Sequence, residues 1–88
     1  MGRHFVYLLR CADDTLYCGY AVDVEKRLAM HNSGKGAKYT RSRLPATIVY
    51  TEEFPEKGDA LRREMEIKKL SRKEKLALIA GYQSDQSF

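Results

Sequence analysis

The sequence predicts a small α+β fold of order β-β-α-β-α-α, and three observations support this. Two runs rich in aromatic and aliphatic residues flank Ala12-Asp13-Asp14, which indicates a β-hairpin. A third such run follows Pro45. The other segments carry helix start signals and apolar residues three and four positions apart. A chain of 88 residues has one modest core. We therefore expect a single domain over residues 1–82 and a flexible tail over 83–88.

The hairpin strands are expected over residues 5–11 and 15–20. With a three-residue loop, Tyr7 lies opposite Gly19, and Tyr17 lies diagonal to Tyr7 on the same face of the sheet. A two-residue loop would place the two tyrosines on opposite faces. We favour the three-residue loop, although the sequence alone leaves the choice open.

The remaining elements are bounded by ordinary start and stop signals. They are a helix from the N-cap Asp23 to about Asn32, a strand over residues 47–54 that joins the hairpin, a helix over 57–70, and a last helix from the capping box Ser71-Arg72-Lys73-Glu74 to about Ala80, with Gly81 as its stop. Leu76 and Ile79 are expected to face inward.

The composition favours an anionic partner, because the formal net charge is +4. Nucleic acid, a membrane surface and an acidic protein all fit this charge. Cys11 and Cys18 match neither a disulfide framework nor a zinc-site spacing. No signal-peptide pattern and no stretch long enough to span a bilayer occurs, so we expect a cytoplasmic protein without a membrane partner.

Residues 34–43 form a basic segment without any acidic residue. We expect a loop or short helix there that binds a nucleic-acid backbone. The alternative is a solvated, lysine-rich loop. The residues predicted to bind nucleic acid are Lys35, Lys38, Tyr39, Arg41 and Arg43.

Glu64 is the most informative single residue, because Ala60 and Leu61 precede it by one turn and Ile67 follows on the same helix. A carboxylate on an inward face needs a partner, a hydrogen bond or a metal ion. The competing interpretation is a surface glutamate paired with Lys68 at i+4.

Four further residues fit phosphodiester chemistry when they are taken together. The phenols of Tyr7 and Tyr17 could act on water if neighbouring cations draw their protons away. Arg27 could contact a phosphate oxygen, and His31, one turn later, could assist proton transfer. Taken singly, the tyrosines read as core aromatics, Arg27 as a solvated arginine and His31 as a structural histidine. With Glu64 holding a hard cation, the set matches what phosphodiester hydrolysis requires.

The ordered motifs of this chain resemble the GIY-YIG nuclease superfamily, in particular its small stand-alone bacterial members. The resemblance covers about residues 4 to 80. The motifs that carry it are Val6-Tyr7 with Leu8-Leu9, Tyr17-Cys18-Gly19, Arg27, His31, Glu64 and the stretch Asn32-Ser33-Gly34-Lys35-Gly36-Ala37-Lys38-Tyr39-Thr40.

The resemblance implies a three-stranded antiparallel sheet flanked by helices and one divalent cation, Mg²⁺ or Mn²⁺, bound by Glu64. It implies that Tyr7 or Tyr17 activates or orients the attacking water. It also implies that Arg27 stabilises the scissile phosphate, and that His31 occupies a position that is histidine or tyrosine in active members.

The chain departs from the family pattern at three places. Its first triplet reads Phe5-Val6-Tyr7, which keeps only the tyrosine. Tyr20 stands where some members carry a lysine near the catalytic tyrosine. An asparagine that many members place late in the domain is absent, since Asn32 is the only asparagine.

We expect a metal-dependent nuclease that acts on DNA in preference to RNA and recognises shape over base order, with a role in repair or recombination. A protein partner that supplies specificity is compatible with the small surface. The alternatives are a catalytically silent nucleic-acid-binding module of the same fold and an interaction module that docks an acidic protein.

Overall fold

The structure, a computed structural model, describes residues 3–86, and it describes side chains through residue 82. The elements follow the predicted order, with one extra short helix inside the basic segment. They are β1 (His4–Arg10), β2 (Leu16–Ala21), α1 (Val24–Asn32), α2 (Lys38–Arg41), β3 (Thr47–Phe54), α3 (Lys57–Lys68) and α4 (Arg72–Gln86).

The three strands form one antiparallel sheet in the order β2-β1-β3. Tyr7 pairs with Gly19, and the Cys11 amide donates to the Thr15 carbonyl at 2.8 Å. This is the register of the three-residue loop, and Asp14 supplies its left-handed residue with φ 69°. Tyr7 and Tyr17 therefore share one face, as predicted.

The sheet separates two apolar clusters because alternate residues of a strand point to opposite faces. On one face, Val6, Leu8 and Cys18 pack with Ala60 and Ile67 of α3 and with Ile79 of α4. On the other face, Tyr7, Leu9 and Ala21 pack with Val24 and Leu28 of α1. The aromatic residues predicted to do chemistry lie on the α1 face.

Local capping explains where two of the helices begin. Asp23 caps α1 by accepting from the Lys26 amide at 3.0 Å. The capping box at α4 is present: the Ser71 amide donates to Glu74 Oε1 at 2.9 Å, and the Glu74 amide donates to Ser71 Oγ at 3.2 Å. Gly34 ends the turn after α1 with φ 83°.

Two details of the last helix differ from the prediction. The stop at Gly81 is wrong, because α4 runs on to Gln86. The Tyr50 and Tyr82 rings are in edge contact at 5.5 Å, and the Thr51 hydroxyl donates to the Tyr82 hydroxyl at 3.3 Å, so packing keeps the chain helical past the glycine. Leu76 is 36% exposed, whereas Ile79 is buried as expected. Residues 87–88 of the predicted tail lie outside the described residues.

In the part of the chain that the structure describes, no helix combines the length and the apolar character needed to cross a membrane.

Candidate active site

Tyr7 lies across the neighbouring strand, directly over Gly19. A Cβ atom at position 19 would overlap the Tyr7 hydroxyl and ring. The glycine of the second triplet is therefore required for space, because only a residue without a side chain lets the ring lie flat on β2.

His31 is the buried partner of Tyr7. It lies near the end of α1, is 2% exposed, and its Nε2 is 3.0 Å from the Tyr7 hydroxyl. Its Nδ1 is 2.9 Å from Oγ1 of Thr40, a residue of α2 with no exposed surface. Burial and the nearby charge of Arg27 lower the pKa of His31, so the ring is neutral near pH 7.

Burial dominates the electrostatics of Tyr7, which is 1% exposed. Desolvation, helped by the neighbouring Tyr17, raises the pKa of Tyr7 to about 12. The charge of the nearby Arg27 acts in the opposite direction but does not prevail. Tyr7 is therefore a neutral phenol at physiological pH, and the cation expected to draw its proton away is present but is outweighed.

Tyr17 connects this buried pair to the surface. Its ring is half-buried and packs against the rings of Tyr7, His31 and Tyr39, at centroid distances of 6.5, 5.3 and 5.9 Å. Tyr39 is 40% exposed, and the Arg43 guanidinium lies 4.2 Å from its ring centre. The tyrosines form a continuous aromatic layer that runs from the interior to solvent.

The structure thus brings four of the five predicted catalytic residues together. Tyr7 and His31 form an inner layer without access to solvent. Tyr17 is half-buried and Arg27 is exposed, so these two form the outer layer. Only the outer residues can touch a substrate, a distinction that the sequence did not provide.

Among the described residues, no hydrogen bond or ion pair joins Glu64 to these four residues, and Glu64 satisfies both interpretations that the sequence left open. Its side chain is only 17% exposed, and its carboxylate also lies 3.5 Å from Lys68 Nζ. Its backbone carbonyl accepts from the Cys18 thiol at 3.8 Å. Burial and the charge of Glu64 raise the pKa of Cys18 to about 11, so this thiol is no nucleophile.

Glu64 offers a single carboxylate to a metal ion, without an enclosing set of protein ligands. Among the side chains that the structure describes, those of residues 3–82, there is no group of three or more His, Cys, Asp or Glu that could enclose a metal. Mg²⁺ is commonly held by one or two carboxylates together with substrate phosphates and water. Glu64 therefore fits an open magnesium site that is completed by the substrate.

The basic segment divides into outward and inward residues. Lys35, Lys38 and Arg41 are exposed, as expected of residues that contact a nucleic-acid backbone. Arg43 is half-buried, lies 3.0 Å from Asp13, and donates to the Tyr39 carbonyl at 2.8 Å. Its contacts therefore support the position of Tyr39.

Two cations of α4 border the same surface and were not anticipated. A cleft beside Tyr39 is lined by Thr15, Leu16, Tyr39, Arg72 and Lys75. Arg72 also pairs with Asp14 at 3.3 Å. The positive surface around Tyr39 is therefore built from two separate parts of the chain.

Sequence reasoning missed the residues that fix the inner layer in place. Besides Thr40, these are Gly36, where a Cβ would overlap the His31 ring, and Asn32, whose amide group bonds both the amide and the carbonyl of Ala46 at 2.7 and 3.0 Å. Tyr20 takes no part, because its hydroxyl bonds His4 Nδ1 at 2.7 Å and its ring packs with the cluster on the other face.

Comparisons with known proteins cover most of the chain. Residues 3–77 match the family described as the GIY-YIG catalytic domain. A UPF0213 protein of Staphylococcus haemolyticus is 53% identical over 79 residues, which cover 90% of this chain and 96% of that protein.

Two solution NMR structures have a similar fold. One is a UPF0213 protein from Bacillus halodurans, with a TM-score of 0.58 and 50% identity, covering 89% of this chain and 83% of that one. The other is a protein from E. faecalis, with a TM-score of 0.63 and 39% identity, covering 94% of this chain and 88% of that one.

Proposed function

Because the chain belongs to the GIY-YIG family, whose domain implies a nuclease-type activity, we propose that it is a metal-dependent endonuclease that hydrolyses phosphodiester bonds in DNA. One observation carries this proposal. The Tyr7 hydroxyl is hydrogen-bonded to a neutral histidine, the charge of Arg27 lies close enough to act on both, and both rings pack against a half-buried second tyrosine.

The outer residues perform the chemistry in this proposal. Arg27 donates to the scissile phosphate and offsets the negative charge that grows on it during attack. The Tyr17 hydroxyl accepts a hydrogen bond from the attacking water and directs its oxygen at phosphorus. The new P–O bond forms as the attacking water releases a proton to solvent, the bond to the leaving sugar oxygen breaks, and that oxygen takes a proton from solvent.

The inner residues act through the outer ones. The Tyr7 hydroxyl and His31 Nε2 hold each other through a hydrogen bond of 3.0 Å, and the charge of Arg27 acts on both residues. His31 also packs its ring edge against Tyr17. Tyr7 and His31 are therefore positioning residues, and the function of both depends on their neutral state.

Glu64 is the residue that would hold Mg²⁺ or Mn²⁺. When bound, the ion supplies positive charge to the phosphate and lowers the pKa of its water. Competition with Lys68, 3.5 Å away, makes this a weak site until a phosphate arrives.

The substrate is DNA recognised by shape. Lys35, Lys38 and Arg41 follow the backbone, and the exposed ring of Tyr39 offers a surface on which an unpaired base can stack. The small interface leaves little room for base-specific contacts, so flaps, ends or branches are favoured, as is a role in repair or recombination.

Both cysteines are free thiols, which agrees with a reducing cytoplasm.

A cleavage assay with a panel of substrates tests the proposal. Labelled single-stranded, duplex, flapped and branched DNA and matched RNA are incubated with Mg²⁺, Mn²⁺ or chelator, with Glu64→Ala beside the wild type. We expect metal-dependent products from one class of DNA that are lost in the variant. Equal cleavage by the folded variant would assign the activity to another site or to a contaminant.

The pairing of Glu64 with Lys68 supports one alternative, a silent nucleic-acid-binding module of the same fold. That module binds DNA in a salt-sensitive manner and yields no product with any metal. Lys68→Ala distinguishes the two functions, because freeing the carboxylate should lower the Mg²⁺ concentration needed for cleavage by a nuclease but should produce no cleavage in a silent module.

A further inference from the structure

The Thr40 hydroxyl determines which ring nitrogen of His31 carries the proton. Its oxygen donates to the Ala37 carbonyl at 2.9 Å and lies 2.9 Å from His31 Nδ1. A hydroxyl has one proton and two acceptor lone pairs. While the hydroxyl donates its hydrogen bond to the Ala37 carbonyl, Thr40 can only accept a hydrogen bond from His31. Nδ1 must then carry the imidazole proton.

The opposite arrangement leaves a buried proton without an acceptor. If Thr40 donated to Nδ1, the neutral ring would carry its proton on Nε2 and donate to the Tyr7 oxygen. The Tyr7 proton would then have no acceptor among the contacts of the described residues, and Tyr7 is too buried for water to supply one.

We propose that Thr40 is a positioning residue for the reaction: it fixes His31 as the Nδ1–H tautomer, so that Tyr7 donates to Nε2 and the His31 ring is held against Tyr17. The inference rests on the proposed function for its catalytic consequence. The hydrogen bonds run from Tyr7 to His31, from His31 to Thr40 and from Thr40 to the Ala37 carbonyl, which is the final acceptor, and each member is oriented by the next.

The surrounding backbone supports this role. Gly36 lies against the His31 ring, where any Cβ would overlap Nδ1. The Thr40 amide donates to the same Ala37 carbonyl at 3.1 Å, which anchors the acceptor at the end of the chain. The segment from Lys35 to Arg41 therefore has two sides, because Lys35, Lys38 and Arg41 are exposed while Gly36 and Thr40 contact the histidine.

Thr40→Val and Thr40→Ser test this inference. Valine keeps the shape and removes the hydroxyl, whereas serine keeps the hydroxyl. The first readout is the ¹⁵N spectrum of the His31 ring, which distinguishes a protonated from an unprotonated nitrogen without any substrate. We expect Nδ1 to be protonated in the wild type and in Thr40→Ser, and the proton to move wholly or partly to Nε2 in Thr40→Val.

The second readout is single-turnover cleavage together with DNA affinity. Thr40→Val should cleave about tenfold more slowly, the rate equivalent of one net hydrogen bond, at unchanged DNA affinity. Thr40→Ser should restore most of the rate. Thr47→Val, an exposed threonine at the start of β3, is the matched control and should change neither readout.

The outcomes separate this inference from the proposed function. Protonated Nε2 in the wild type overturns the inference, whatever the activity, and so does a Thr40→Val variant with unchanged tautomer and rate. If the wild type cleaves nothing, the proposed function fails, while the wild-type spectrum still decides whether Thr40 fixes the tautomer.

Discussion

The Tyr7 hydroxyl lies 3.0 Å from His31 Nε2, although 24 residues separate the two in sequence. Both side chains are almost completely buried, so neither can find water if its partner is lost. This hydrogen bond joins the centre of the sheet to the end of α1, and most of the expected mutational effects at the site follow from it.

Tyr7→Phe removes the donor of this bond and leaves Nε2 buried without a partner. We expect the free energy of unfolding to fall by about 1–3 kcal/mol, measured by urea denaturation, and cleavage to slow because the His31 ring that packs against Tyr17 loses its hydrogen-bond partner. Tyr20→Phe removes a hydroxyl bond to His4 on the opposite face. It should leave cleavage unchanged, and an equal loss of activity in both variants would contradict the role given to Tyr7.

Gly19→Ala places a methyl group where the Tyr7 ring lies. We expect overpacking to cost about 1–3 kcal/mol and to displace Tyr7 from His31, so that cleavage is lost along with stability. Gly58→Ala adds a methyl group in open space on α3 and should be neutral or stabilising by up to about 1 kcal/mol. Thermal unfolding of both variants checks this, and a stable, active Gly19→Ala protein would refute the packing argument.

Acid should destabilise the fold through His31. The pKa of His31 is lowered in the folded state. Just below the ordinary histidine pKa of about 6.5, the His31 side chain is therefore protonated to a greater extent in the unfolded chain than in the folded one. The free energy of unfolding therefore falls as pH decreases from about 6.5 toward the lowered pKa. His31→Gln cannot ionise and should remove this part of the dependence. A wild-type stability that is flat between pH 7 and pH 5 would contradict the prediction.

The two arginines of the basic segment should differ in their effect on DNA binding. Arg41 is exposed, so Arg41→Ala should weaken binding and reduce the slope of log affinity against log salt by about one. Arg43 stacks on Tyr39 and pairs with Asp13, so Arg43→Ala should also disturb Tyr39. Titrations at several salt concentrations, with tyrosine spectra of both variants, measure the difference. Identical behaviour would mean that Arg43 acts only as a charge.

Local signals predicted the parts of the fold that local physics controls. The N-cap Asp23, the Ser71-Glu74 capping box and the three-residue hairpin register were all confirmed, because each depends on residues close in sequence. The helix stop at Gly81 was wrong because contacts of Tyr82 with Tyr50 and Thr51 outweigh the low helix propensity of glycine.

The candidate site was predictable as a list of residues but not as an arrangement. The sequence named Tyr7, Tyr17, Arg27 and His31, yet it could not show which of them are buried, since that depends on how α1 and α2 close over the sheet. Gly36 and Thr40 belong to the stretch that resembles the family, but nothing in the sequence indicated that they contact His31, because the charge of the segment predicted only its exposed side. For Glu64 the sequence left open an inward carboxylate that binds a metal and a glutamate paired with Lys68. The structure agrees with both, because the side chain is largely buried and also contacts Lys68.

The most direct test of the central claim, that this cluster hydrolyses a phosphodiester bond, is the single-turnover cleavage rate of Arg27→Ala beside Lys26→Ala. The two variants lose the same charge from adjacent exposed positions of α1. We predict that Arg27→Ala cleaves about 10²–10³-fold more slowly at comparable DNA occupancy, while Lys26→Ala stays within a few-fold of the wild type. Equal rates in the two variants would contradict the claim.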